Sequence, residues 1–375
     1  ARPPENWRKD VMKKIALFAV LLAMLFSGAA KAGEWYEKIK LNGDFRHRHE
    51  LIQKEDKEDQ NRWRIRFRVS LGADVSESWS VGARFATGSS DPVSTNQTLS
   101  DGFATKGFHL DRAYFDFHPA RVKGLHVIGG KMGLPFAQAQ KTELIWDGDL
   151  SPEGAALKYK NKASDKVEIM FGAGFFYITE RKAEDDTYMG GAQLGLNVKP
   201  TDDTHLMIGG GYYDYQQVKD YPGVYDEGDF FGNTYYDDEG TDVYMWDYNL
   251  FEVLGEFGVK MENVSFSIYG NFVTNTDPDS LNTGWLFGGT MTRGKGRGSL
   301  KLYANYRELE RDAVLGVYTD SDFLGGGTDG KGLEMGASYG IADKASLALT
   351  YFLNKQGIEE EADYKRLQAD LQVKF

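Results

Sequence analysis

Four arginines occupy alternate positions in Arg62-Trp63-Arg64-Ile65-Arg66-Phe67-Arg68-Val69-Ser70-Leu71. A guanidinium stays protonated in a protein and grips oxyanions through a planar fork of N–H donors. Four of them on one face could steer anions or, interleaved with acids, hold a wall rigid. An extended chain points successive side chains to opposite faces. The run therefore predicts a strand with Trp63, Ile65, Phe67, Val69 and Leu71 on one face and Arg62, Arg64, Arg66 and Arg68 on the other. Neighbouring segments repeat the division. Ile39, Leu41, Gly43 and Phe45 alternate with Lys40, Asn42, Asp44, Arg46 and Arg48; Trp79, Val81, Ala83 and Phe85 lie opposite Arg84; Ala113, Phe115 and Phe117 lie opposite Arg112. With Lys131 added, these basic residues form one candidate wall.

Other residue types point to less. His47 and His49 share a strand face and could clamp a metal, but no third ligand is evident. The loop 221–247 carries Asp226, Glu227, Asp229, Asp237, Asp238, Glu239 and Asp242. It lacks the spacing of an EF-hand, so the expectation is a solvated loop, with calcium bridging the surface or neighbouring lipopolysaccharide as the alternative. No G-x-S-x-G elbow and no H-E-x-x-H occurs. Gly209-Gly210-Gly211 and Gly325-Gly326-Gly327 do not precede predicted helices, so neither reads as a phosphate cradle. The sequence points to no catalytic site and to no cofactor beyond that calcium.

The 375 residues contain 44 Lys+Arg and 56 Asp+Glu, a formal charge of −12, with 44 Gly, 9 Pro and no Cys. A mean hydropathy of −0.49 excludes a polytopic helical membrane protein, because each helical span needs about 20 mainly apolar residues. The acidic balance argues against a nucleic-acid partner, and the missing cysteine removes disulfides and thiolate chemistry. Near the N-terminus, Lys13-Lys14 precedes the apolar run Ile15 to Phe26 and the small residues leading to Ala30-Lys31-Ala32. That order predicts an exported chain cleaved after Ala32, with residues 1–32 a leader plus a short extension and 33–375 the folded domain. Residues 1–32 hold six basic and two acidic residues, so the remainder carries 38 positive and 54 negative charges, a net of −16.

The elements that must carry the basic wall emerge from the same alternation. Sixteen segments qualify as strands: 38–50, 62–74, 79–88, 107–118, 124–132, 153–160, 166–179, 187–198, 204–215, 248–260, 263–274, 283–293, 298–308, 331–340, 345–354 and 363–375. Many match the ~9–11 residues that a tilted strand needs to cross a bilayer. Short connections rich in Gly, Asp, Asn, Pro and Lys alternate with long polar ones, as in a transmembrane β-barrel with short periplasmic turns and long external loops. In the last segment Leu367, Ala369, Leu371, Val373 and Phe375 alternate with Arg366, Gln368, Asp370, Gln372 and Lys374. The apolar set would face lipid and the polar set the lumen. A charge on the lipid face near mid-bilayer costs ~2–4 kcal/mol, so the arginines turn inward together. Segments 124–132 and 153–160 are interrupted by glycines; without them fourteen strands would remain, favouring a transporter of hydrophobic solutes.

On these features the chain resembles the bacterial outer-membrane general porins, among them the single-chain porins of Gram-negative bacteria. The resemblance rests on the leader, the sixteen alternating segments, the terminal Leu371-Gln372-Val373-Lys374-Phe375 and the stretch Gly129-Gly130-Lys131-Met132-Gly133-Leu134-Pro135-Phe136. It implies an all-β barrel in the cell outer membrane, a homotrimer, and passive diffusion of small hydrophilic solutes through a water-filled pore. It also implies that Leu371, Val373 and Phe375 signal to the outer-membrane assembly machinery. The loop near 133–152 would fold into the barrel and set Glu143, Asp147 and Asp149 opposite Arg46, Arg48, Arg62, Arg64, Arg66, Arg68, Arg84, Arg112 and Lys131. Opposed charges of this kind select solutes by sign. An anion- or phosphate-preferring channel and a non-conducting adhesive barrel are the alternatives.

Overall fold

The computed structural model describes residues 39–375 except Lys141 and Glu227; the expected leader lies outside the described residues. Sixteen antiparallel strands form the wall: β1 Ile39–Lys54, β2 Gln60–Ser76, β3 Trp79–Thr87, β4 Phe108–Phe117, β5 Leu125–Lys131, β6 Glu153–Lys162, β7 Val167–Thr179 and β8 Thr187–Val198. They continue as β9 Thr204–Gln216, β10 Tyr248–Met261, β11 Val264–Asn275, β12 Thr283–Arg293, β13 Leu300–Leu309, β14 Gly330–Ala342, β15 Ala345–Gln356 and β16 Ala362–Lys374. Each pairs with its neighbour, and β16 pairs with β1 from Asp44 opposite Lys374 to Lys54 opposite Tyr364. The sheet is thus a closed all-β barrel, in which every strand edge finds a partner. Both glycine-broken segments, β5 and β6, form and pair with each other over seven residues, so the fourteen-strand reading is excluded. A two-residue strand, Gln97–Thr98, pairs with β2, and a hairpin of Tyr235–Asp238 and Thr241–Tyr244 stands apart from the wall.

Alternation survives closure. Leu41, Phe67, Ile268, Leu349 and Leu371 are exposed on the outside, whereas Arg48, Glu50, Arg366 and Gln368 are buried within. The seam is sealed at Gly43, whose N–H donates to the Phe375 carbonyl (3.2 Å) and whose carbonyl accepts from Phe375 N–H (3.1 Å). A Cβ at Gly43 would overlap both the Arg68 carbonyl and the Phe375 ring, so the terminal aromatic needs a glycine opposite it.

Connections at one end are mostly short and at the other mostly long, but length does not sort them completely. The expected long connection 51–61 shrinks to 55–59, because β1 and β2 keep pairing as far as Ile52 and Gln60. A sixteen-stranded barrel leaves a lumen too wide for wall side chains alone to fill. Here three loops on the long-connection side share that space. Phe136 and Trp146 of residues 132–152 pack on Tyr213 of β9, with ring centroids 4.8 and 5.3 Å away. Val314, Leu315 and Val317 from 310–329, and Val218 and Phe230 from 217–247, are buried in the same cluster. The loop 221–247, expected as a solvated excursion, is therefore partly core.

Candidate functional site

The lumen-facing wall begins with a cross-strand problem. The register sets Arg46 opposite Arg66 and Arg48 opposite Arg64, and like charges directly opposed are destabilising. Acids from neighbouring positions relieve it. Asp44 accepts from Arg66 Nη2 (2.9 Å) and Arg68 Nε (2.8 Å). Glu50 accepts from Arg62 Nε (2.5 Å) and from Arg366 Nη2 (2.6 Å) of the closing strand. Asp370 holds Arg48 through a paired contact of 2.7 and 2.9 Å. Between β3 and β4 the register slips, leaving Asp111 without a partner residue; this bulge lets its carboxylate reach Arg84. The wall is therefore basic but interleaved. Arg64 finds Glu50 only at 3.9 Å. Arg46 turns to the Asn96 side chain and Arg112 to Ser151 Oγ at 3.0 Å. Neither has a carboxylate within 4 Å among the described residues.

The inward loop 132–152 is pinned to the wall away from the arginines. Gln193 of β8 donates to the Ala137 carbonyl (3.0 Å) and accepts from Ala137 N–H (2.7 Å). From there the loop returns toward the basic wall and delivers Asp149. Its Oδ1 lies 2.7 Å from Arg68 and 3.7 Å from Arg66, while Oδ2 accepts from Thr95 N–H and Oγ1. Burial pushes this carboxyl up, but Arg66 and Arg68 outweigh it and hold the pKa at about 2.

Glu143 and Asp147, expected beside Asp149, form no ion pair with the wall arginines among the described residues, and Asp147 shares only a cavity of about 390 Å³ with Arg112. A second inward loop, 310–329, takes them: Asp147 N–H donates to the Tyr318 carbonyl (2.8 Å), and Asp147 Oδ2 accepts from Ser321 N–H (3.0 Å). Glu143, Asp147 and Asp320 bring one carboxylate oxygen each within 4.8 Å of one another. Burial and mutual repulsion raise Glu143 and Asp147 well above the usual carboxylate range. The same loop supplies Asp320 to Arg307 (2.9 Å) and Asp322 to Arg48 (2.9 Å) and Arg366 (2.7 Å). Sequence reading missed this clamp. Arg366 belongs to the lumen-facing set of the last strand, but its partner Asp322 comes from a long connection expected on the outside.

Two cavities flank the narrow zone. The inner one, of about 610 Å³, is lined by Lys40, Arg66, Arg68, Arg84, Arg112 and Lys374, with Asp44 the only acid. The outer one, of about 550 Å³, is lined by Asp91, Ser94, Thr95, Asp149, Trp146, Tyr215 and Tyr318 among others. Lys131 lies apart from the basic wall, at the border of the outer cavity. Its register partners are Ala113 and Glu153 on the outward face, and its Nζ lies 2.6 Å from Glu153. The register, through Ala113, places it on the face of Phe115 and not on that of Arg112. His47 and His49 also point outward against Trp63, His47 stacked with centroids 5.0 Å apart and His49 tilted at 4.5 Å. In the acidic loop, Asp226, Asp229 and Asp237 accept backbone N–H groups two or three residues ahead. Metal-competent groupings among the described residues lie elsewhere, and Glu227 is outside those residues. Leu371 and Val373 face outward on β16, beside the Phe375 seam.

A family model described as "Putative porin" matches residues 50–222 and 223–375. No curated protein sequence matches the chain. Among solved structures, OprB of Pseudomonas putida superposes with a TM-score of 0.59 at 13% identity, covering 91% of this chain and 95% of that one. OmpF of Salmonella typhi, in complex with daunomycin, gives 0.56 at 11% identity over 90% and 97%. The trimer form of OmpT from Vibrio cholerae gives 0.51 at 12% identity over 90% and 99%.

Proposed function

The chain belongs to the putative porin family, and from that premise we propose that it is a passive outer-membrane channel for small hydrophilic solutes and ions. The constriction lies between the arginines of β1 to β4 and Asp149. The observation that carries this reading is the delivery of Asp149 onto Arg66 and Arg68 by a loop anchored across the lumen at Gln193. Charge of both signs then borders one narrow path with water-accessible cavities on either side. Reconstituted in a planar bilayer, the protein gives discrete conductance steps; a barrel that inserts but never conducts would make it the adhesive alternative.

A second reading concerns sign. The inner cavity combines six cationic side chains with one carboxylate, and Arg46 and Arg112 keep free charge for a passing solute. The channel accordingly prefers anions, phosphate among them.

The functional unit is a homotrimer. β5 has seven residues, which at ~3.3 Å each and a tilt of ~40° rise roughly 18 Å, short of an apolar band ~25 Å tall. The outward Lys131–Glu153 pair lies at the rim of this low stretch. Lipid disfavours both features, whereas a neighbouring subunit accommodates them; native mass measurement in mild detergent reads the stoichiometry. An export leader cleaved after Ala32 and recognition of the Phe375 end by assembly machinery complete the proposal.

A further inference from the structure

At the short-turn end of the lumen, two histidines and an aspartate converge without any part in the constriction. Asp116 and His118 belong to the end of β4 and its turn, and His126 is the second residue of β5. His126 Nδ1 lies 2.9 and 3.0 Å from the two Asp116 oxygens, and His118 Nδ1 lies 3.7 Å from Oδ1. The imidazoles face each other with centroids 5.7 Å apart. One donor atom from each residue falls within 4.8 Å of the others. The decisive atom is His118 Nδ1, which is buried and has no hydrogen-bond partner among the described residues. A buried polar atom left unmatched costs about 1–3 kcal/mol, and this one is aimed at a carboxylate and a second imidazole.

The backbone presenting these groups is tightly fixed. His118 N–H donates to the Ser78 carbonyl, Val122 N–H to Pro119, and Leu125 N–H to Val122. Gly124, at φ +82°, sits so close to the Lys160 carbonyl that a Cβ would overlap it. The donors thus hang on a rigid turn.

We propose that Asp116, His118 and His126 form a binding site for a first-row divalent transition metal, with Zn²⁺ as its probe. Tetrahedral Zn²⁺ with bonds of ~2.0–2.1 Å sets its ligand atoms roughly 3.3 Å apart, between the 2.9 and 3.7 Å already present. Two imidazole nitrogens and one carboxylate suit Zn²⁺, Ni²⁺ or Cu²⁺, whereas Ca²⁺ and Mg²⁺ want oxygen shells. Three protein ligands leave a coordination position open. Asp116 lines a cavity of about 390 Å³, so that position faces the lumen. Lys158, directly across from His126 and facing Asp116, opposes the metal's charge and limits its affinity.

The test is titration calorimetry of the untagged, folded full chain in detergent. Zn²⁺ binds saturably and Ca²⁺ and Mg²⁺ do not. His118→Ala or His126→Ala weakens Zn²⁺ at least tenfold, Lys158→Met strengthens it, and the outward pair His47→Ala/His49→Ala leaves it unchanged. Should a histidine variant fail to fold, Cu²⁺ electron paramagnetic resonance of the unaltered protein reads the same ligands as two coupled nitrogens. Absence of Zn²⁺ binding, equal binding by folded His126→Ala, or a Cu²⁺ spectrum without nitrogen coupling overturns the site.

Discussion

Asp149 is decisive at the scale of single residues, because among the described residues it is the expected loop acid that ion-pairs with the wall arginines. Replacing it with Asn removes one negative charge beside the path while keeping the contact to Thr95. A unit charge ~6 Å from an ion in water repels an anion and attracts a cation by about 0.7 kcal/mol each, so the anion-to-cation permeability ratio rises about tenfold; an unchanged ratio counts against its position in the constriction. Glu143 makes a different prediction. Its folded pKa lies above its unfolded value, so its contribution to docking the two inward loops is complete at low pH and fades as pH rises through the folded pKa. Glu143→Gln mimics the protonated acid and can still accept from Gly148 N–H. Open-channel current noise should therefore fall at pH 8 and stay unchanged at pH 4. Greater noise at pH 8 would contradict the buried acid cluster as a proton-sharing contact.

At the scale of elements, the strands were legible because their information is local. Alternation along Arg62 to Leu71 or Leu367 to Phe375 assigns faces without knowledge of any partner, and all sixteen strands lie where it puts them. What escaped depends on pairing at a distance. Arg48 meets Asp370 and Asp322, and Glu50 meets Arg366, across more than 250 residues. The place of Lys131 likewise depends on the register that pairs it with Ala113 and Glu153, which alternation along a single strand does not carry. The inward path of 310–329 had a faint local signal in Val314-Leu315-Gly316-Val317, an apolar run too buried for a solvated loop. Closure itself yields a prediction at this scale. Gly43→Val drives a branched side chain into the Arg68 carbonyl and the Phe375 ring, so the β1–β16 seam opens and the yield of heat-modifiable folded barrel collapses. Phe375→Ala, which removes the ring and not the seam hydrogen bonds, loses less. Normal folding of Gly43→Val would show that the terminal ring does not seal the barrel there.

For the molecule as a whole, polar average composition and membrane residence are compatible because lipid meets only every second residue of the wall. The charge is also unevenly spread: acids crowd the long loops, while β1 to β4 and the inner cavity are basic. The central claim is that this asymmetry borders an open path. Its most direct measurement is the reversal potential across a planar bilayer in a salt gradient, recorded for the unaltered protein and for Arg46→Gln/Arg112→Gln. Conduction with a reversal potential on the anion-selective side, moved toward zero by the double substitution, is the predicted result. A cation-selective channel, or one whose reversal potential ignores the loss of both guanidinium groups, would contradict the account.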